Sequence, residues 1–232
     1  MKKKVVAAIM SVALVAAVGI GGTLAYLSEK TDVVSNSFAV GAGFVPGPDG
    51  SKGIVLDETK VDITTGEAVG NERTTSNAYA DLLPGDERLK DPTVWMVTGS
   101  VDSYVFVKVE GANELAEKGI SISDFNSADW IRVEGTGAYD GIYRYQGTNL
   151  SEVDDQGYRK VVVDNLENQP DGRLIELSEV FTEVNVDKDM TQDELDALKN
   201  QLGQLAVQAV AVQADNNTAS DALAEAKRVA QW

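Results

Sequence analysis

The chain has 232 residues, with 20 Lys plus Arg against 37 Asp plus Glu, no His and no Cys, and a formal charge of −17. Those counts exclude disulfides, thiolate or imidazole metal centres, Ser-His-Asp and Cys-His nucleophile systems and the HExxH zinc helix. The acidic balance repels nucleic-acid phosphates, so no nucleic-acid partner is expected, while 43% apolar residues suffice for one globular core.

Lys2, Lys3 and Lys4 precede an uncharged run from Val5 to Leu27 whose centre is nearly all Val, Ala, Ile, Leu and Met. Gly19, Gly21 and Gly22 then loosen the run ahead of Thr23-Leu24-Ala25. Basic start, apolar centre and small residues before a polar sequence predict a secretory signal peptide over residues 1–25. Thr23 and Ala25 fit the −3 and −1 pockets of a signal peptidase, which places the cut before Tyr26. The alternative is an uncleaved anchor, since the run is long enough to cross a bilayer; the glycines and the small-x-small site favour cleavage. Membrane contact is then expected only through the uncleaved signal segment, and the rest of the chain outside the cell. Cleavage removes three lysines and no acid, leaving 17 basic and 37 acidic residues and a charge of −20. That charge keeps a secreted protein soluble and makes like-charged copies depend on screening or divalent cations to associate.

Residues 26–232 read as a single β-sandwich domain. Its first segment, 26–41, carries a strand pattern at 33–40. Residues 41–80 then read as a loop-rich or hairpin insertion: Gly41, Gly43, Gly47, Gly50 and Gly53 crowd together with Pro46 and Pro48. Further strands are predicted at 53–57 and 93–98. In Ser103-Tyr104-Val105-Phe106-Val107-Lys108-Val109-Glu110 three valines share one face, while the other turns from aromatic to charged. Asp129-Trp130-Ile131-Arg132-Val133-Glu134 alternates too, and Tyr143 and Tyr145 share a face. Strands at 160–164, 180–186 and 205–213 complete the set, the last apolar on both sides and therefore central and covered. Turn signals such as Pro84-Gly85-Asp86 and Pro170-Asp171-Gly172 separate them. Nine or ten short strands punctuated this way predict a mainly β, antiparallel sandwich. Helices are few: one short turn at 112–118, and two opened by the capping boxes Thr191-x-x-Glu194 and Thr218-x-x-Asp221.

No catalytic, cofactor or metal residue stands out. Asp187-x-Asp189-x-Thr191 resembles the start of an EF-hand loop but has Gln192 where Gly is needed and Leu198 where Glu belongs. Asp154-Asp155 and Asp57-Glu58 leave room for weak surface Ca²⁺ binding and nothing stronger. Asn149-Leu150-Ser151 and Asn216-Asn217-Thr218 match the glycosylation sequon. Trp95, Tyr104, Phe106, Trp130, Tyr143, Tyr145 and Phe181 lie on strands, where core packing explains them better than a carbohydrate platform.

Several segments resemble the TasA/camelysin (CalY) family of secreted matrix proteins of Gram-positive bacteria. They are Gly21-Gly22-Thr23-Leu24-Ala25-Tyr26-Leu27-Ser28 with Thr31-Asp32-Val33-Val34-Ser35-Asn36-Ser37-Phe38-Ala39-Val40-Gly41, similar to the junction cut by the SipW-type signal peptidase. Leu83-Pro84-Gly85-Asp86, Lys90-Asp91-Pro92, Tyr104-Val105-Phe106-Val107-Lys108-Val109, Trp130 and the Tyr143/Tyr145 pair follow. Val180-Phe181-Thr182-Glu183-Val184, Ala209-Val210-Ala211-Val212-Gln213-Ala214 and residues 224–232 close the likeness, which spans most of the chain outside 41–80. The resemblance implies a jelly-roll-like sandwich, export to the matrix or cell surface, and self-assembly into biofilm fibres by donor-strand complementation. Other matrix proteins enter as further partners. The residues fit that implication: Val34, Phe38 and Val40 lie on one face of an extended tail, with the small Ser35, Ser37 and Ala39 on the other. The plainer reading makes 33–40 an ordinary strand of its own domain. The family's metallopeptidase label finds no His, Cys or HExxH here; a structural role without enzymatic activity is expected instead. The alternatives are a secreted camelysin-like metallopeptidase or other carboxylate-dependent hydrolase and, further, a monomeric surface adhesin.

Overall fold

Val105, Val107 and Val109 alternate with Tyr104 and Phe106 along β6 (Ser103–Glu110), and all five are buried. A strand buried on both faces needs a cover on each, and the sequence provides a second sheet for one and a helix for the other. The computed structural model describes residues 28–30, 44–48, 50, 53–163, 172–198 and 202–232, the first of these by backbone only. Thr23, Ala25 and Tyr26 of the expected cleavage junction, and Val34, Phe38 and Val40 of the donor candidate, lie outside the described residues.

β14 (Ala206–Gln213) pairs antiparallel along the whole of β6, from Ala206 opposite Glu110 to Gln213 opposite Ser103. The far side of β6 takes β9 (Gly141–Tyr145) and, at Ser103, β11 (Arg159–Val161). β8 (Trp130–Gly135) extends the sheet beyond β9, and β10 (Ser151–Val153) beyond β11. β1 (Ser28–Lys30) lies on the outer side of β14 and completes a seven-stranded sheet. A second sheet runs β12 (Leu174–Glu179), β5 (Thr93–Val97), β2 (Ile54–Val61), β3 (Ala68–Thr74). A third, small sheet has β13 (Glu183–Val186) between β4 (Glu87–Leu89) and β7 (Ile120–Ser123). The pairs in all three are antiparallel.

The two larger sheets share one core. Val105, Val107 and Val109 of β6, Val207, Ala209 and Ala211 of β14 and Tyr143 and Tyr145 of β9 meet Ile54, Val94, Met96 and Leu177 across it. Trp130 is anchored there by an indole N–H donated to the Glu179 carbonyl at 2.9 Å, with Tyr145 edge-on at 5.2 Å. The polar atom of each ring finds a partner, which is what lets such large side chains be buried. On the other face of the seven-stranded sheet lies α3 (Ala219–Ala230), whose Ala219, Ala222, Ala226 and Ala230 are buried over Tyr104, Phe106, Val210 and Val212. Thr218 caps this helix: its hydroxyl accepts from the Asp221 N–H at 3.1 Å, and the Asp221 carboxylate accepts in return. α1 (Ala112–Glu117) starts from Gly111 at φ 87°, where a Cβ would stand 2.0 Å from the Gln204 carbonyl oxygen; only glycine fits. α2 (Gln192–Ala197) has the full Thr191/Glu194 capping box and sends Leu195 into a small cluster with Leu115, Ile120 and Val186. Among the described residues, no helix is long and apolar enough to cross a membrane.

The mainly β, antiparallel architecture with a few short helices is therefore as expected. The segment 41–80 is more than an insertion of loops. β2 lies between β5 and β3, and its Ile54 and Val55 are buried, so the hairpin supplies two strands of the second sheet and the first of them reaches the core. β3, by contrast, is exposed almost throughout. The predicted strand 180–186 divides: Val180 and Phe181 are core residues between strands, β12 precedes them and β13 follows.

Candidate functional site

The feature that joins sequence and fold is the outer side of β14. Ser28 opposes Val212, Glu29 opposes Ala211 and Lys30 opposes Val210, so β1 runs towards the N-terminal end of β14. These three residues belong to the donor candidate 26–41, and here they pair with β14 of their own chain. β14 begins four residues before Val210, at Ala206. Ala206 and Val207 there border a cleft of about 390 Å³. Leu56, Leu115, Ile120, Val186 and Leu205 form its apolar walls. The strand seat, Val210–Val212, and the cleft border, Ala206 and Val207, thus lie on one strand.

The opposite wall of the cleft is polar and tightly paired. Lys90 Nζ lies 2.7 Å from Glu58 Oε2, with side chains only 13% and 7% exposed. Glu58 Oε1 accepts from the Asn77 backbone N–H at 3.0 Å. The Asn77 side chain accepts from Val61 N–H and donates to the Thr59 carbonyl, at 3.0 and 2.7 Å. It thereby takes up β2 backbone groups beyond Asp57, where the pairing with β5 stops. Tyr79 donates its hydroxyl to the Leu89 carbonyl at 2.7 Å. Burial, then the charges of Glu58 and Asp91, push its pKa far up, so it stays a donor. Arg88 is spent on the Thr64 carbonyl at 2.7 Å and Asp86 Oδ2 at 2.5 Å.

A second ionic group sits on the outer face of the same strands. Arg73 donates Nε and Nη2 to Asp57 Oδ1 at 2.9 and 2.7 Å, and Nη1 to Thr59 Oγ1 and Asp91 Oδ2 at 3.0 and 3.3 Å. Asp91 in turn accepts from both the N–H and the hydroxyl of Thr59, each at 2.7 Å. Trp95 donates Nε1 to Asp57 Oδ1 at 2.7 Å and lies under the Arg73 guanidinium. These contacts fasten the exposed β3 to the second sheet.

The sequence candidates resolve as follows. Asp57 and Glu58, one of the Ca²⁺ pairs, are occupied by Arg73, Trp95, Lys90 and Asn77. Asp154, from the other, accepts from Gln156 N–H and Tyr158 N–H on one oxygen and from the Tyr104 hydroxyl on the second. Burial alone would raise the Asp154 pKa, but those hydrogen bonds and the Arg144 charge hold it below the usual value. Among the described residues, no three acidic side chains are grouped to hold a metal ion. The Asn149 side chain of one sequon donates to the Glu176 and Leu177 carbonyls at 3.0 and 3.1 Å, so its amide is committed to β12. Tyr104, Phe106, Trp130, Tyr143, Tyr145 and Phe181 are buried, and Trp95 is half-covered by Arg73, so the strand aromatics present no exposed platform. No family model matches the chain, and neither a curated protein nor a solved structure matches it.

Glu179, on the outer end of β12, gives a pH test of this surface. Burial first, and then the neighbouring charges of Glu176 and Asp91, raise its pKa, with Arg73 opposing. A carboxyl whose folded pKa exceeds its unfolded one favours folding while protonated, and that contribution is lost as pH rises through the folded pKa. Glu179→Gln is therefore expected to raise Tm at pH 7. The gain should vanish below pH ~4, where both states of the wild type are protonated. Calorimetry across that range checks it.

Proposed function

We propose that the chain is an exported, signal-peptidase-processed structural subunit of surface or matrix fibres, with a jelly-roll-like sandwich as its body. The observation that carries this reading is the position of β1: the strand just beyond the expected cut is a three-residue edge strand on β14. A segment so short has few hydrogen bonds to lose, and the same bonds re-form on β14 of an identical neighbour. Exchanging one element between identical copies is a low-cost route to association. The main chain of the incoming strand supplies affinity, and its alternate side chains supply fit. In that arrangement residues 26–41 of one copy occupy the β14 seat of the next, with Val34, Phe38 and Val40 as the apolar anchors. The contact is head-to-tail and does not close, which generates a filament.

The signal segment 1–25 keeps the tail tethered to the membrane until a SipW-type peptidase cuts before Tyr26, so processing licenses polymerisation. With a charge of −20 on each processed copy, growth is expected to need salt or divalent cations. The likeness to the TasA/camelysin family supports the same reading. Deletion of residues 26–40 tests it: the variant is expected to keep its β-rich circular dichroism and remain monomeric in electron micrographs. Normal fibres from that variant would overturn the donor role, and an N-terminus other than Tyr26 on secreted protein would overturn the processing step.

A further inference from the structure

β1 packs against two elements, β14 at its side and α3. The buried face of α3 is alanine at Ala219, Ala222, Ala226 and Ala230, with Leu223 partly buried beside them. Its far end is closed by a left-handed cap. Gln231 takes a left-handed conformation at φ 60°, and Trp232 N–H bonds back to the Lys227 carbonyl at 3.0 Å. That turn folds the terminal indole onto β14, where Nε1 donates to Gln208 Oε1 at 2.5 Å. Lys227 makes a second tie, to Glu134 of β8 at 2.8 Å. Gln208 stands two positions from Val210, the last residue that β1 pairs with. The helix therefore crosses the β1–β14 joint and is fastened just past its end.

We infer that α3 is a latch on the first-strand seat, with the Trp232–Gln208 contact as its catch. While the catch is closed, α3 holds whichever strand occupies the outer side of β14. When it opens, the C-terminal turn lifts and the strand leaves. The fibre reading supplies the consequence: the latch sets how fast a first strand can pass from its own subunit to a neighbour.

Hydrogen–deuterium exchange at Ser28–Lys30 in the purified chain reads the latch without any fibre. Trp232→Ala removes one hydrogen bond and a partly buried ring. Exchange at these amides is expected to speed up by about tenfold or more, with β6 unchanged. Trp232→Phe keeps most of the packing and should give a smaller rise. Unchanged exchange at Ser28–Lys30, or an equal rise in β6, would overturn the latch. Electron microscopy of the same samples separates the two ideas. Faster exchange with no fibres from either protein leaves the latch standing and sinks the fibre reading; fibres with unchanged exchange do the reverse.

Discussion

Cysteines at Ser28 and Val212 are expected to hold the oxidised protein as a monomer that cannot elongate, and reduction should restore growth. The chain has no cysteine of its own, so the engineered bridge has no competitor. Ser28 and Val212 are directly opposed in the antiparallel β1–β14 pair. Opposed Cβ atoms lie about 4.5–5.5 Å apart, close to the span a disulfide bridges after a small adjustment. Val212 is buried, and valine to cysteine is a near volume-conserving change costing less than ~1.5 kcal/mol. In the monomer the bridge joins a chain to itself and pins the strand that must leave. In fibres grown under reduction and then oxidised, Ser28→Cys of one copy meets Val212→Cys of the next. Non-reducing electrophoresis should then give a ladder of covalent oligomers. A single-chain band from oxidised fibres would mean that the strand never left its own subunit, and the donor-strand reading would fail. Lys30→Cys with Val210→Cys, the next pair on the same face, serves as an independent repeat.

The strands that could be read from the sequence are those whose two faces are covered by like residues. β14 has valine or alanine at all but two positions, and β6 is apolar without a break from Tyr104 to Val107, because one face meets the second sheet and the other meets α3. The change from Tyr104 and Phe106 to Lys108 and Glu110 along one face of β6 has the same cause: only the first pair joins the cluster with the α3 alanines. The capping boxes at Thr191 and Thr218 were legible because they need only local chemistry. β2 was cut short at Asp57 because Glu58, at an inward position, breaks the apolar alternation. Its charge is tolerated there by Lys90, 32 residues away, and no local window shows that partner. β3 lacked a hydrophobic signal altogether: it is solvent-exposed on both faces and held by Arg73 reaching Asp57, Thr59 and Asp91. β4, β7 and β10 are three or four residues long, too short for a period to register. The cleft, assembled from β2, α1, β7, β13 and the approach to β14, is a product of long-range packing.

Lys90→Met is expected to destabilise the fold by about 3 kcal/mol, since it strands a buried carboxylate. Glu58 is 5% exposed and keeps only the Asn77 N–H as a partner once Nζ is gone. For a domain of this size such a loss lowers Tm by about 6–12 °C. The expected site of damage is local first: Asn77 and Tyr79 tie residues 75–80 to β2 and to the Leu89 carbonyl, so that segment should loosen over the cleft. Glu58→Gln added to Lys90→Met removes the stranded charge while keeping an oxygen for Asn77. The double variant should therefore recover most of the stability, because a neutral pair avoids the desolvation that the ion pair must offset. Lys60 and Glu72 provide the contrast on the same hairpin. Their 2.6 Å pair is 49% and 59% exposed, and Lys60→Met should cost less than ~1 kcal/mol. Denaturant titration of the four proteins decides it. If Lys90→Met costs no more than Lys60→Met, the polar wall is solvated and Glu58 is not an enclosed charge. If the double variant is as weak as the single, the loss lies in packing rather than in an uncompensated charge.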